Sequence, residues 1–228
     1  MDLKRMAAER AAEFLPGTRV LGLGSGSTTA RFIEVLAEHR RRGAFRDLVA
    51  IPTSVCSGRM AERLSIPLSS LDDNPQIDLT VDGADEVDPH LDLIKGHGGA
   101  LTREKIVACA SRQLVIIVDD SKMVEQLGSK MALPVEVVQF GWRAVQAKLA
   151  DLGARGVLRT EGEEPYRTDQ DNFVLDCRFG GAIVDPVGVA RALIQIPGVV
   201  EHGLFLDMAQ RVVVASQEGV RVLDRPDA

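Results

Sequence analysis

Small and hydroxylated residues cluster in Gly22-Leu23-Gly24-Ser25-Gly26-Ser27-Thr28-Thr29, between a strand-like stretch at Val20–Leu23 and a helix-like one at Thr28–His39. Glycines there allow close backbone approach and positive φ, and a helix start offers N–H groups at the positive end of its dipole. Ser25, Ser27 and Thr28 add hydroxyl donors, so the segment suits an anion, most simply a phosphate. A dinucleotide fingerprint fits poorly. Ser27 stands where the third glycine belongs, and Ile51-Pro52-Thr53 lacks the acid that would hold a ribose hydroxyl. No lysine follows in P-loop register. A plain glycine-rich turn with a Ser/Thr cap has the same composition and is the alternative for this stretch alone.

Three further segments carry charge. Asp82-Gly83-Ala84-Asp85-Glu86-Val87-Asp88 ends the apolar stretch Ile77–Val81, and carboxylates at a strand's C-terminal end face the ligand crevice of open α/β sheets. The calcium-loop pattern is absent, and a solvated acidic turn is the plain alternative. In Lys95-Gly96-His97-Gly98-Gly99-Ala100-Leu101-Thr102-Arg103-Glu104-Lys105, a lysine precedes a glycine cluster. Thr102 can then cap a helix whose first turn holds Glu104. Glu104 reads either as a complement to the helix dipole or as a general base. The dipole and nearby lysines lower its pKa while desolvation by a sugar raises it, and either way it is ionised at neutral pH. His97 has no partner at a known spacing and reads as a packing or hydrogen-bonding residue; His39, His90 and His202 form no constellation. Last, Asp119-Asp120-Ser121-Lys122 follows the β-branched run Leu114–Val118, so Lys122 adds positive charge at another strand end.

These turns need a sheet to gather them. Short apolar runs at Val20–Leu23, Leu48–Ile51, Ile66–Leu68, Ile77–Val81 and Leu114–Val118 alternate with helical patterns at Thr28–His39, Ser54–Leu64 and Thr102–Ala110. The fold class is therefore α/β, with a Rossmann-like, mainly parallel sheet and helices on both faces. After Gly128 the rhythm changes. Val135–Gln139, Trp142–Leu152, Gly156–Arg159, Phe173–Cys177, Pro186–Ile196 and Val199–Leu206 read as β-α-β-β-α-β, a smaller ferredoxin-like α+β domain. Thr160–Asn172 reads as an exposed hairpin loop, and Arg211–Ala215 with Val220–Leu223 as two returning strands. The expected domains are 1–130 with 207–228, and 131–206.

Composition narrows the partners. The chain of 228 residues is 45% hydrophobic and 26% charged, enough to fill a core. A net charge of −6 argues against general nucleic-acid binding. Cys56, Cys109 and Cys177 are widely spaced, which suggests neither a metal cage nor a redox pair but reduced thiols and a cytoplasmic location. Met1–Leu15 reads as an amphipathic helix rather than a signal peptide. No run of about 18 apolar residues occurs, so no membrane span is expected.

Together these segments resemble the ribose-5-phosphate isomerase A family. The matching stretches are Gly24-Ser25-Gly26-Ser27-Thr28, Asp82-Gly83-Ala84-Asp85-Glu86, Lys95 to Lys105 and Asp119 to Lys122, with Pro134-Val135-Glu136-Val137 and Ile196-Pro197-Gly198-Val199-Val200 beyond them. The resemblance implies interconversion of ribose 5-phosphate and ribulose 5-phosphate through an enediolate, in the non-oxidative pentose phosphate pathway. It implies no metal and no cofactor, and a homodimer or homotetramer. Glu104 falls on the family's proton acceptor, and Asp82, Asp85 and Lys95 on its catalytic positions. Ser25, Gly26, Ser27, Thr28, Gly83, Ala84, Gly96, His97, Gly98 and Lys122 fall on substrate-binding positions, and Lys4 on a further phosphate contact. Two departures stand out: Ser25 replaces a frequent threonine, and His97 replaces a usual glycine. A related sugar-phosphate enzyme or a non-catalytic sensor would use the same cradle, but the chain has no spare basic helix-turn-helix segment.

Overall fold

The computed structural model describes residues 2–225. Met1, the expected start of the first helix, and residues 226–228, the expected end of the first domain, lie outside them. Asp2 accepts the Arg5 N–H and starts α1 (Leu3–Ala12). There follow β1 (Val20–Leu23), α2 (Ser27–Arg41), β2 (Val49–Pro52), α3 (Val55–Arg63) and β3 (Leu79–Asp82). A Ser54/Ser57 capping box opens α3. Next come β4 (Glu86–Val87), β5 (Leu93–Ile94), α4 (Leu101–Cys109), β6 (Leu114–Asp119) and a 3-10 turn at Asp120–Lys122. The chain continues through β7 (Leu133–Val137), α5 (Trp142–Asp151), β8 (Arg155–Leu158), β9 (Thr160–Glu161), β10 (Glu164–Pro165) and β11 (Phe173–Arg178). It closes with α6 (Pro186–Ile194), β12 (Val199–His202), β13 (Leu204–Phe205), β14 (Arg211–Ser216) and β15 (Gly219–Asp224).

Two compact units emerge. One comprises the chain up to Ala84, Arg103–Lys122 and the chain from Asp207 onward; the other comprises Asp85–Thr102 and Met123–Leu206. The first unit holds a sheet in the order β15-β14-β6-β3-β1-β2. Its β14–β15 pair is antiparallel and its other neighbours are parallel. Alternation sends Leu21, Leu23, Leu79, Val81, Val115 and Ile117 to one face, against Ala7, Ala8 and Ala11 of α1 and Phe32 and Leu36 of α2. Burying each such Leu or Val contributes about 1.5–3 kcal/mol. On the opposite face Val107 of α4 packs with Ile51 and Ile77. Gly22 must be a glycine there, because a Cβ would lie 2.8 Å from the Val107 side chain and overlap Thr80.

In the second unit an antiparallel sheet runs in the order β12-β7-β11-β8. With α5 between β7 and β8, and α6 between β11 and β12, it is the ferredoxin-like arrangement expected from the sequence. Val145 and Leu149 of α5 and Leu193 of α6 pack on Leu133, Val135, Val137 and Leu175. Alternation then turns Glu136, Val174 and Asp176 to the other face.

The stretch Val199–Leu206, expected as one strand, divides at Gly203. The Gly203 carbonyl accepts the Lys95 N–H (2.9 Å) and the Gly203 N–H reaches the Pro134 carbonyl (2.8 Å). A side chain at Gly203 would overlap the Lys95 carbonyl. β12 therefore joins β7 while β13 joins β5 in a separate sheet with β4. Ile66–Leu68 forms no strand, only a bridge from Leu68 to Ala50.

Candidate active site

Asp82 ends β3, and alternation puts its carboxylate on the sheet face that carries α4. It is buried, and its Oδ1 accepts the N–H groups of Ser25 (3.0 Å) and Gly83 (2.7 Å) and the Thr29 hydroxyl (3.4 Å). One carboxylate oxygen thus folds the turn between β1 and α2. A side chain at Gly24 would overlap this carboxylate, which explains the glycine. Ser25 Oγ is held inward by Thr53 (2.7 Å) and Ser54 (2.8 Å), whereas Gly26 and Ser27 are exposed. Gly26, at φ 92°, precedes α2 without a side-chain cap, so the first N–H groups of α2 have no intrahelical acceptor. Lys4 Nζ donates to Ser27 Oγ at 2.8 Å. Backbone donors and a hydroxyl on one exposed turn, with the Lys4 ammonium of α1 beside them, are groups able to hold an anion.

Glu104 approaches by a different route. α4 feeds β6, which runs parallel to β3, so the helix travels back from the C-terminal edge of the sheet to its N-terminal edge. Toward its end Val107 lies over Gly22, and just beyond the helix Ser111 Oγ meets Thr80 Oγ1 at 2.6 Å. Glu104 is three residues before Val107, hence on the same helix face and nearer the C-terminal edge. It is 5% exposed. Glu104 and Asp82 therefore share a sheet face and lie toward the same edge. Lys122 sits in the 3-10 turn after β6, at that edge too, half-buried.

The second unit carries Asp85, Lys95 and the glycine loop. Asp85 Oδ2 accepts the His97 N–H at 3.0 Å. Lys95 is buried, its ammonium 5.4 Å from the centre of the Phe205 ring. Gly96 (φ 106°) and Gly99 (φ 77°) take left-handed backbone, and the Gly99 N–H closes a turn on the Gly96 carbonyl at 2.9 Å. His97 Nε2 lies 3.0 Å from the Ala132 carbonyl, so its ring ties two loops together, in keeping with a hydrogen-bonding residue.

Arg159 and Tyr166 grip this loop, and sequence reasoning missed both. Arg159 Nη1 donates to the Gly96 and His97 carbonyls at 3.0 Å each, and its guanidinium pairs with Asp176 at 3.0 and 2.5 Å. The Tyr166 hydroxyl donates to the Gly98 carbonyl at 3.3 Å; burial raises its pKa above the usual phenol value, keeping it a donor at neutral pH. Their only sequence signal is a polar stretch with no spacing that links it to Lys95–Gly99. Thr102, expected as a cap, instead lies inside α4, and its hydroxyl donates to the buried Glu136 at 2.5 Å. Glu86, part of the acidic run, is also buried and accepts the N–H groups of Gly128, Lys130 and Met131 at 2.5–2.7 Å. Among the described residues, no group of three or more His, Cys, Asp or Glu side chains is placed to hold a metal. No described helix is long and apolar enough to cross a membrane.

Comparison with known proteins gives a consistent result. Residues 49–219 match the family model described as ribose 5-phosphate isomerase A (phosphoriboisomerase A). The chain is 51% identical to the ribose-5-phosphate isomerase A of Gloeobacter violaceus, covering 97% of this chain and 95% of that one. It is 47% identical to the Roseiflexus castenholzii protein of the same name, covering 99% and 96%. Among solved structures, a D-ribose-5-phosphate isomerase in complex with phospho-erythronic acid superposes with a TM-score of 0.95 at 43% identity, covering 98% of each chain. The ribose 5-phosphate isomerase A of Methanocaldococcus jannaschii gives 0.92 at 37% identity, again covering 98% of each.

Proposed function

This chain belongs to the ribose 5-phosphate isomerase A family, and from that premise we propose that Glu104 is the base of its reaction. The activity is the interconversion of D-ribose 5-phosphate and D-ribulose 5-phosphate. An aldose becomes a ketose when a proton leaves C2, an enediolate forms, and a proton returns to C1. Both carbons lie on one face of a cis-enediolate, so one carboxylate serves both transfers. A positioned base of this kind contributes about 10²–10⁴-fold.

The other roles follow from charge and reach. The Lys95 ammonium stabilises the developing oxyanion, a role worth roughly 3–4 kcal/mol in a dry site. Asp82 moves the anomeric hydroxyl proton as the furanose opens, and Asp85 orients hydroxyls. Gly83, Ala84, Gly96, His97 and Gly98 offer backbone groups to the sugar. Ser25, Gly26, Ser27 and Thr28, with Lys4 and Lys122, anchor the phosphate, and that remote binding energy supports orientation at the reacting carbons. The observation that carries the reading is the turn of exposed donors folded by Asp82, which lies on the sheet face and edge that also hold the buried Glu104. Phospho-erythronic acid, bound by the related enzyme, offers a phosphate and a planar carboxylate, the two features of a phosphorylated enediolate.

The reaction is proposed to run without a metal, since ammonium groups supply the positive charge it needs. A cytoplasmic location is supported by three free thiols. A homodimer or homotetramer is supported by the exposure of Phe140 (94%) and Val184 (91%) in the second unit. Ketose formation from ribose 5-phosphate with a chelator present, for wild type and Glu104→Gln, tests the reading. Wild-type turnover that falls about 100-fold or more in the variant is expected. A folded wild type that binds the sugar phosphate but leaves it unchanged would point to a sensor.

A further inference from the structure

We propose that Arg159 is a positioning residue for this reaction, setting the direction of the peptide planes that follow Lys95. The inference rests on the isomerase reading and adds to it the device that aims the glycine loop. In a planar trans peptide, the carbonyl of one residue and the N–H of the next point in opposite directions. Arg159 Nη1 draws the Gly96 and His97 carbonyls to itself, each at 3.0 Å. The N–H groups of His97 and Gly98 are therefore turned away from Arg159. The His97 N–H meets Asp85 Oδ2 at 3.0 Å. Gly98 is exposed and a side chain there would meet nothing within 4 Å, which leaves room for a ligand oxygen at its N–H, here a hydroxyl or developing oxyanion of the sugar phosphate.

The guanidinium is itself fixed. Both its Nε and Nη2 hold Asp176 of β11, and its carbon lies 5.7 Å from the centre of the Tyr166 ring. Tyr166 then secures the next carbonyl, that of Gly98, and fills the volume a side chain at Gly99 would need. A lysine cannot replace this fork, because it lacks the planar donors that serve a carboxylate and two carbonyls together. Charge-assisted bonds to both carbonyls also polarise the peptides and strengthen the N–H on their far side.

The test is steady-state kinetics on ribose 5-phosphate for wild type, Arg159→Met, Arg159→Lys and Asp176→Asn, with thermal unfolding of each. Because misaimed groups cost rate more than binding, Arg159→Met is expected to lose roughly 10- to 100-fold in kcat with KM within about threefold. Arg159→Lys keeps a cation beside Asp176, so it is expected to melt near wild type yet lose about tenfold in kcat. Asp176→Asn keeps an acceptor for the guanidinium but not the charge, so it is expected to melt lower and to lose less in kcat than Arg159→Lys. Should Arg159→Met fail to fold, Arg159→Lys decides alone. Wild-type kcat in folded Arg159→Lys overturns the inference and leaves the isomerase reading standing. An inactive wild type overturns both.

Discussion

Asp82 Oδ1 accepts the Ser25 N–H at 3.0 Å and the Gly83 N–H at 2.7 Å. The carboxylate proposed to open the sugar ring thus also shapes the turn proposed to hold the phosphate. Substitutions there can separate the two duties, because an amide oxygen accepts the same N–H groups without carrying charge.

Asp82→Asn should therefore keep the turn and lose the chemistry, with kcat down about tenfold or more and KM within about threefold. Asp82→Ala strands donors whose loss costs about 1–3 kcal/mol each, and KM should rise as well. Steady-state kinetics distinguishes them; equal rises in KM would show that the oxygen does not hold the turn.

Gly24→Ala should damage the same turn from the other side. The added Cβ would lie 2.6 Å from the Asp82 Cα, which is backbone and has nowhere to move. A loss of about 1–3 kcal/mol is expected, read as a lower Tm together with weaker binding of ribose 5-phosphate. A variant with wild-type Tm and affinity would contradict the packing described.

The parallel sheet was legible because its strands are short β-branched or leucine-rich runs followed by chemically distinctive turns. Val20–Leu23 is read to the residue, whereas nothing in the sequence ties Lys4 to the Ser27 hydroxyl 23 residues on. Other features lacked a local signal. Only the carbonyl of Lys95, more than 100 residues away in sequence, shows that Gly203 must divide one apolar run into two strands. Arg159 looks like any exposed-strand arginine until the loop it grips is in place. Glu86 reads as one more acid in an acidic run, although its burial among three N–H groups sets it apart.

Asp78 should contribute to acid sensitivity. The N–H of Val20 above all, with that of Arg19, holds its carboxyl below the usual value, against an opposing effect of burial. A depressed folded pKa gives stability that is present above the ordinary carboxylate value of about 3.9 and lost as pH falls through the folded value. Urea unfolding should show Asp78→Asn less stable than wild type near pH 6, the gap closing toward about pH 3. A gap that widens on acidification would contradict this assignment.

Cysteine reactivity should divide by burial. Burial, with a smaller contribution from Asp176, pushes the Cys177 thiol up to about 12, while Cys56 and Cys109 are exposed. Iodoacetamide at about pH 8 should alkylate Cys56 and Cys109 in the native protein and Cys177 only after unfolding, as read by peptide mass. Native labelling of Cys177 at the rate of the other two would contradict its burial.

The central claim is that Glu104 carries the proton through an enediolate. Its most direct test follows ribose 5-phosphate deuterated at C2 by NMR during turnover in ordinary water. Exchange of the label with solvent by wild type, falling with isomerisation by about 100-fold or more in Glu104→Gln, is the predicted result. Undiminished isomerisation and exchange in Glu104→Gln would contradict it.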